Sequence, residues 1–181
     1  TNNGNAVIQS SVNDPNIRIS LDAVADVKTK FPALKINMQV DTLDLNALHL
    51  VTGTLQLSGT VHADFTSTDP AAPQGLLEVY NLSVKQGLQS LSTDTITLEA
   101  ARTDSGQLIK AHAEMADITW IGTYNVAEVG TALQHTINKF YTLPNFKDTV
   151  FAAQQWKLNA TINPASPLIL QFVPQLDGSD T

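Results

Sequence analysis

Two short steps in this 181-residue chain set an imidazole beside a carboxylate: His62 with Asp64, and His112 with Glu114. Residues two apart on an extended strand share a face, so either pair has the makings of a metal half-site or an acid-base couple. Neither has a third ligand nearby in sequence and no His-x-x-x-His spacing occurs, so both read as solvated residues on the polar side of a one-sided sheet. His49 and His135 have no partner in sequence, and His135 falls on the wet side of a predicted helix. The chain has no Cys, which removes thiol nucleophiles, disulfides and zinc-thiolate sites while leaving an oxidising compartment compatible. Neither Gly87-Leu88-Gln89-Ser90 nor Gly178-Ser179 makes a nucleophile elbow, and no glycine-rich phosphate loop is present. Carboxylates are numerous enough for a glycosidase-like pair, but chance pairs across a sheet far outnumber catalytic ones. Trp120 and Trp156 could stack on a sugar, yet Trp156 shares the parity of Leu158 and Ile162 and so belongs to an apolar face. From its chemistry-bearing residues the protein is expected not to be an enzyme and to hold neither metal nor cofactor.

The elements that carry these residues are extended. Ile17, Ile19, Leu21, Ala23, Ala25 and Val27 alternate with Arg18, Ser20, Asp22, Val24 and Asp26, the period of two of a strand with one buried face. After Phe31-Pro32, Leu34, Ile36, Met38 and Val40 interleave with Lys35, Asn37, Gln39 and Asp41. A link carrying Leu43, Leu45, Leu48 and Leu50 leads to Thr54 through Phe65, which sets Leu55, Leu57, Val61, Ala63 and Phe65 on one side. Gly59 shares that side, and a glycine within a strand marks a bend or bulge. Ser67 to Gly75, with two prolines, is a loop. Strands are predicted again over 76–84 and 96–100, then a turn at Thr103-Asp104-Ser105-Gly106 and a strand running from Ile109 to Met115. Trp156 to Asn163 and Leu168 to Val173 close a tally of nine or ten strands, long by the usual standard of about 5 to 6 residues. One segment has a different period: Val126, Val129, Leu133, Ile137 and Phe140 follow three-and-four spacing, which predicts an amphipathic helix over 125–141 with Asn125 as N-cap and Glu128 completing a box-like start.

Composition agrees with this reading. Seventeen acidic against ten basic residues give a net charge of −7, a field that repels phosphate backbones and excludes nucleic acid as the expected partner. Only 15% of residues are charged, against a typical ~25%, and Thr, Ser, Asn and Gln supply a polarity that suits strands. The length fits one domain or a slice of a longer repeat array. No run approaches the ~18 apolar residues of a membrane-spanning helix and the first residues lack a secretion signal, so any anchor or signal is expected outside this chain. The 6% aromatic content is too low for the girdles of an outer-membrane barrel.

A face this apolar must be covered, because patches above a few hundred Å² rarely stay exposed on monomers. A second sheet, closure into a barrel, or a trough holding an apolar ligand under the helix would each satisfy it. A weak internal echo, Leu34-Lys35-Ile36-Asn37-Met38-Gln39-Val40-Asp41 against Trp156-Lys157-Leu158-Asn159-Ala160-Thr161-Ile162-Asn163, points to a repeat.

The run Tyr141-Thr-Leu-Pro-Asn-Phe-Lys-Asp-Thr149, with Gln155 to Asn163 and Pro167-Leu-Ile-Leu-Gln-Phe-Val-Pro174-Gln-Leu176, resembles TamB-type translocation and assembly module proteins of Bacteroidetes. Leu43-Asp44-Leu45-Asn46-Ala47-Leu48 and Gly53-Thr-Leu55-Gln-Leu57-Ser-Gly59-Thr-Val61 are similar to the strands of the wider AsmA-like superfamily. The resemblance implies a mainly β fold: a long, antiparallel-rich, curved sheet forming an open, taco-like hydrophobic groove, with residues 1–181 as one section of a larger repeat protein. It implies a periplasmic location, a parent anchored in the inner membrane, movement of phospholipid acyl chains between inner and outer membranes, and an Omp85-type outer-membrane partner. Assembly of outer-membrane β-barrel or secreted proteins through strand contacts is the alternative role. No catalytic residues come with the family. The residues expected to line the groove are Ile17, Ile19, Leu21, Leu34, Ile36, Met38, Val40, Leu55, Leu57, Val61, Ile96, Leu98, Ile109, Met115, Trp156, Leu158 and Ile162. The helix stripe Val126, Val129, Leu133, Ile137 and Phe140 is expected to cap it.

Overall fold

The computed structural model describes residues 4–131, 135 and 153–163. Nine strands follow one another: β1 (Asn5–Asn13), β2 (Ile17–Asp26), β3 (Ala33–Asp44), β4 (Leu55–Ser67), β5 (Gln74–Gln86), β6 (Gln89–Thr103), β7 (Gly106–Ala113), β8 (Ala116–Thr123) and β9 (Gln155–Ile162). Each pairs antiparallel with the next, so chain order and spatial order coincide. The result is one open, curved sheet in which β1 and β9 do not meet. Of the three ways to cover the apolar side, neither closure into a barrel nor a second sheet occurs among the described residues.

The turns follow from local chemistry. Gly87-Leu88 joins β5 to β6 as a two-residue hairpin loop with φ of +62° at Gly87, the positive angle that a type II′ turn needs at its first central residue. Thr103 and Gly106 flank the β6–β7 turn, where the Thr103 hydroxyl donates to the Gly106 carbonyl at 3.1 Å. The expected bend at Gly59 is present as a register shift in the β4–β5 ladder, with Asn81 opposite it at a φ of +50°. Further shifts fall beside Ile19 and between Val40 and Leu43; such bulges raise local twist and bend a strand.

Of the helix expected over 125–141, the described part is a 3-10 turn, Val126–Glu128, running on into helical residues 129–131. Asn125 caps it as expected, its side chain accepting from the Ala127 amide at 3.0 Å. The reciprocal half of the capping box is not made, because the Glu128 carboxylate oxygen Oε2 is buried without a partner. Leu133, Ile137, Phe140 and the strand expected over 168–173 lie outside the described residues.

Candidate functional site: an uncovered apolar sheet face

The strand register carries single apolar rows across the whole sheet. One row runs Ile8, Ala23, Ile36, Ala63, Leu77, Leu98, Ala111, Ile118 and Ala160, each residue directly opposite the next. The next row runs from Ser10 through Leu21, Met38, Val61, Val79, Ile96, Ala113 and Ala116 to Ile162. Directly opposed side chains lie about 5 Å apart in such ladders, so these rows merge into one continuous face.

That register brings together most of the residues expected to share a face. Ile19 meets Val40, Ile17 meets Leu43, and Leu43 meets Leu57 across the bulge, which keeps Ile17 and Leu57 on the apolar side. Leu34 pairs with Phe65, Leu55 with Gln86, Ile109 with Trp120, Trp120 with Leu158 and Gly122 with Trp156. Met115 is placed differently: β7 stops at Ala113, and Glu114-Met115 is the two-residue turn into β8. A two-residue connection leaves no strand position for it, so the predicted strand is two residues too long.

Few of the described residues cover this face. Among the described residues only Ala23, Ala63, Ala100 and Tyr124 are buried apolar residues, and the three alanines are small side chains shielded by larger neighbours in their own rows. Leu158 and Ile162 remain 51% and 58% exposed. Cover exists at one corner. The β4–β5 loop folds toward β7, and the Ala71 carbonyl accepts from the Val126 amide and from Nε2 of Gln107, the latter at 2.8 Å. Gln107 shares the parity of Ile109, which puts this contact above the apolar side. Its Nε2 also donates to the Tyr124 carbonyl at 2.7 Å. Tyr124 stacks on Trp120, Trp156 meets Trp120 edge-on, and burial pushes the Tyr124 phenol above its ordinary pKa. Val126 and Val129 are half-buried in the turn that leaves this corner, and His135 is half-buried as well.

The opposite side is polar, and His62, Asp64 and His112 are exposed on it, as expected of solvated residues, with their side-chain partners on neighbouring strands. His62 bonds Asn37 at 2.8 Å, not Asp64, which pairs with Lys35 at 2.7 Å. His112 bonds Asp117 across the β7–β8 hairpin, and Glu114 is in the turn. Neighbours across strands outcompete neighbours two along, since directly opposed Cβ atoms are closer than those of residues i and i+2. Among the described residues no cluster of three or more His, Cys, Asp or Glu could hold a metal ion.

No protein-family model, curated protein or solved structure matches this chain. Its functional reading therefore stands on the face itself. A row-matched apolar surface with most polar side chains on the reverse side can hold apolar matter along its length.

Proposed function

We propose that this chain is a non-catalytic section of a cell-envelope protein whose sheet face shields phospholipid acyl chains on their way between the inner and outer membranes. The single observation that carries the reading is the unbroken apolar ladder across nine strands, left uncovered by the described residues. At ~0.8 kcal/mol per buried methylene, an acyl chain of about sixteen carbons gains on the order of 10 kcal/mol gross from such a surface, before ordering costs. Nine strands at ~4.8 Å extend roughly 40 Å, long enough for one tail and short for an envelope, which fits a section of a larger periplasmic protein anchored elsewhere in its parent chain. The resemblance to TamB-type proteins supports the same assignment and adds an Omp85-type outer-membrane protein as partner.

A second reading, an assembly module for outer-membrane β-barrel or secreted proteins, is favoured by one observation, the outer backbone edge of β1, which no described strand pairs. Native mass spectrometry after mild extraction separates the two. Copurifying phospholipid supports the acyl-chain role, and a bound unfolded β-client with no lipid overturns it.

A further inference from the structure

The irregularities of the central ladder line up across four neighbouring strands. In β3 the extra residue is Asp41, which shifts the register towards both β2 and β4. Val40 faces Gly59, and β5 fits two residues, Asn81 and Leu82, into the space opposite that glycine. Asn81, at a φ of +50°, stands against Asp94 at the one gap in the β5–β6 pairing between Gly75 and Gln86. Asp41, Asn81 and Asp94 are all exposed, and each adjoins another residue that is not on the apolar side: Thr42, Tyr80 and Thr95. The polar side thus gains a residue on three strands, which bends the sheet towards its apolar side along one crease.

Beyond the crease, residues 42–44, 55–58, 82–86 and 89–93 form a four-stranded flap that is well tied to itself. Leu43 pairs with Leu57, Leu57 with Val84 and Val84 with Leu91. The Leu45 amide donates to the Leu55 carbonyl at 2.9 Å, Nε2 of Gln56 to Asp44 at 3.0 Å, and the Gly87 amide to the Thr54 hydroxyl at 3.0 Å. Its ties to the rest of the sheet are one-sided. On one flank Ile17 and Arg18 of β2 pair with Leu43 and Thr42. On the other, β7 pairs with β6 only from Ile96 to Thr103 and does not reach the flap. At the crease itself Thr93 is 3% exposed, and its hydroxyl is buried without a partner. A sealed, unpaired hydroxyl is costly, and a change of angle at the crease can relieve it.

We propose that the crease is a hinge and that the flap beyond it turns as one unit towards the apolar face, narrowing the trough. The flap's inner side carries Leu43, Leu55, Leu57, Val84 and Leu91, and closing takes these side chains and the face beneath them out of water. The motion gives up few backbone bonds, because the ladder is already interrupted where it bends, and a hinge needs only a few residues that absorb the change in φ and ψ. Travel is greatest at 89–93, the part farthest from the β2 flank. The device goes beyond the acyl-chain reading and does not require it: the chain itself sets how widely its apolar face stands open.

Distances between paired nitroxides test this. The chain has no Cys, so labels can be placed by Cys substitution at exposed positions of the full chain and read by pulsed electron paramagnetic resonance on delipidated protein. Ser90→Cys with Ser105→Cys spans flap and body. Thr52→Cys with Ser90→Cys stays within the flap and its loop, and Thr29→Cys with Ser105→Cys stays within the body. The expected result is a second population at shorter distance for the first pair, with one narrow distance for each of the other two. A single narrow distance for the first pair, a second population only at longer distance, or equal broadening of all three pairs overturns the proposal. None of these readings depends on bound lipid, so the hinge and the acyl-chain role stand or fall separately.

Discussion

Trp120 and Tyr124 lie face to face, ring centroids 4.4 Å apart and planes within 6° of parallel, and the Tyr124 hydroxyl donates to the Trp120 carbonyl at 3.2 Å. Tyr124 is 5% exposed and sits under the one corner where loop and sheet close over each other. Tyr124→Ala should cost about 3 kcal/mol or more by loss of a buried aromatic, and it should red-shift tryptophan fluorescence as Trp120 meets water. Tyr124→Phe keeps the stack and gives up one hydrogen bond, for about 1 kcal/mol. Urea titrations of both variants check the order; equal losses would show that the ring stack contributes nothing.

Two glycines should respond with opposite signs. Gly75 has a φ of +152°, and a β-carbon there would collide with the Asp64 carbonyl and the Phe65 backbone on the neighbouring strand. Gly75→Ala is expected to destabilise by about 1–3 kcal/mol through backbone strain. Gly130, in the helical stretch, has open space where a β-carbon would go, so Gly130→Ala should stabilise by up to ~1 kcal/mol. Thermal unfolding of the pair reads both signs in one experiment.

Much of this architecture was legible where alternation stays in phase. Ile17 to Asp26 and Leu34 to Val40 keep one parity over a whole strand, so pattern alone assigned their faces. The first half of β6 was hidden because parity changes within it: Leu91 and Thr93 lie on the apolar side with Ile96 and Leu98, opposite the distortion at Asn81. In β1 the apolar side includes Ser10, and in β8 it includes Gly122, while Ile121 takes the polar side. Both strands are held by their neighbours more than by their own pattern. The side-chain partners of His62 and His112 were not legible, because cross-strand register is a property of two segments at once.

Acid should act on the β3–β4 link. Amide bonds from Ala47, first, and then the side chain of Gln56 hold the Asp44 carboxyl below its ordinary value of 3.8. A depressed folded-state pKa contributes stability that is present above the unfolded value and lost as pH falls through the folded one. The stability gap between wild type and Asp44→Ala should therefore stay constant from pH 7 to about 5, then narrow below 3.8. Chemical denaturation at a series of pH values measures it, and a gap that widens in acid would contradict the assignment.

The acyl-chain reading makes its sharpest demand on side-chain parity. Ile36 lies opposite Ala23 and Ala63 in the middle of the apolar ladder, and Leu57 lies opposite Leu43 and Val84. A charge at either place sits where a tail would run, and stripping water from it costs several kcal/mol. Ile36→Asp and Leu57→Arg should each remove most copurifying phospholipid. Because both positions are half-exposed, the folded sheet can keep such a charge hydrated at its surface, so circular dichroism should remain that of a β protein. Thr97→Lys is the control: it lies on the polar side between Glu78 and His112 and should leave bound lipid unchanged. Lipid retained by folded Ile36→Asp and Leu57→Arg, or lost equally from Thr97→Lys, would mean that the apolar ladder is not where the tails lie.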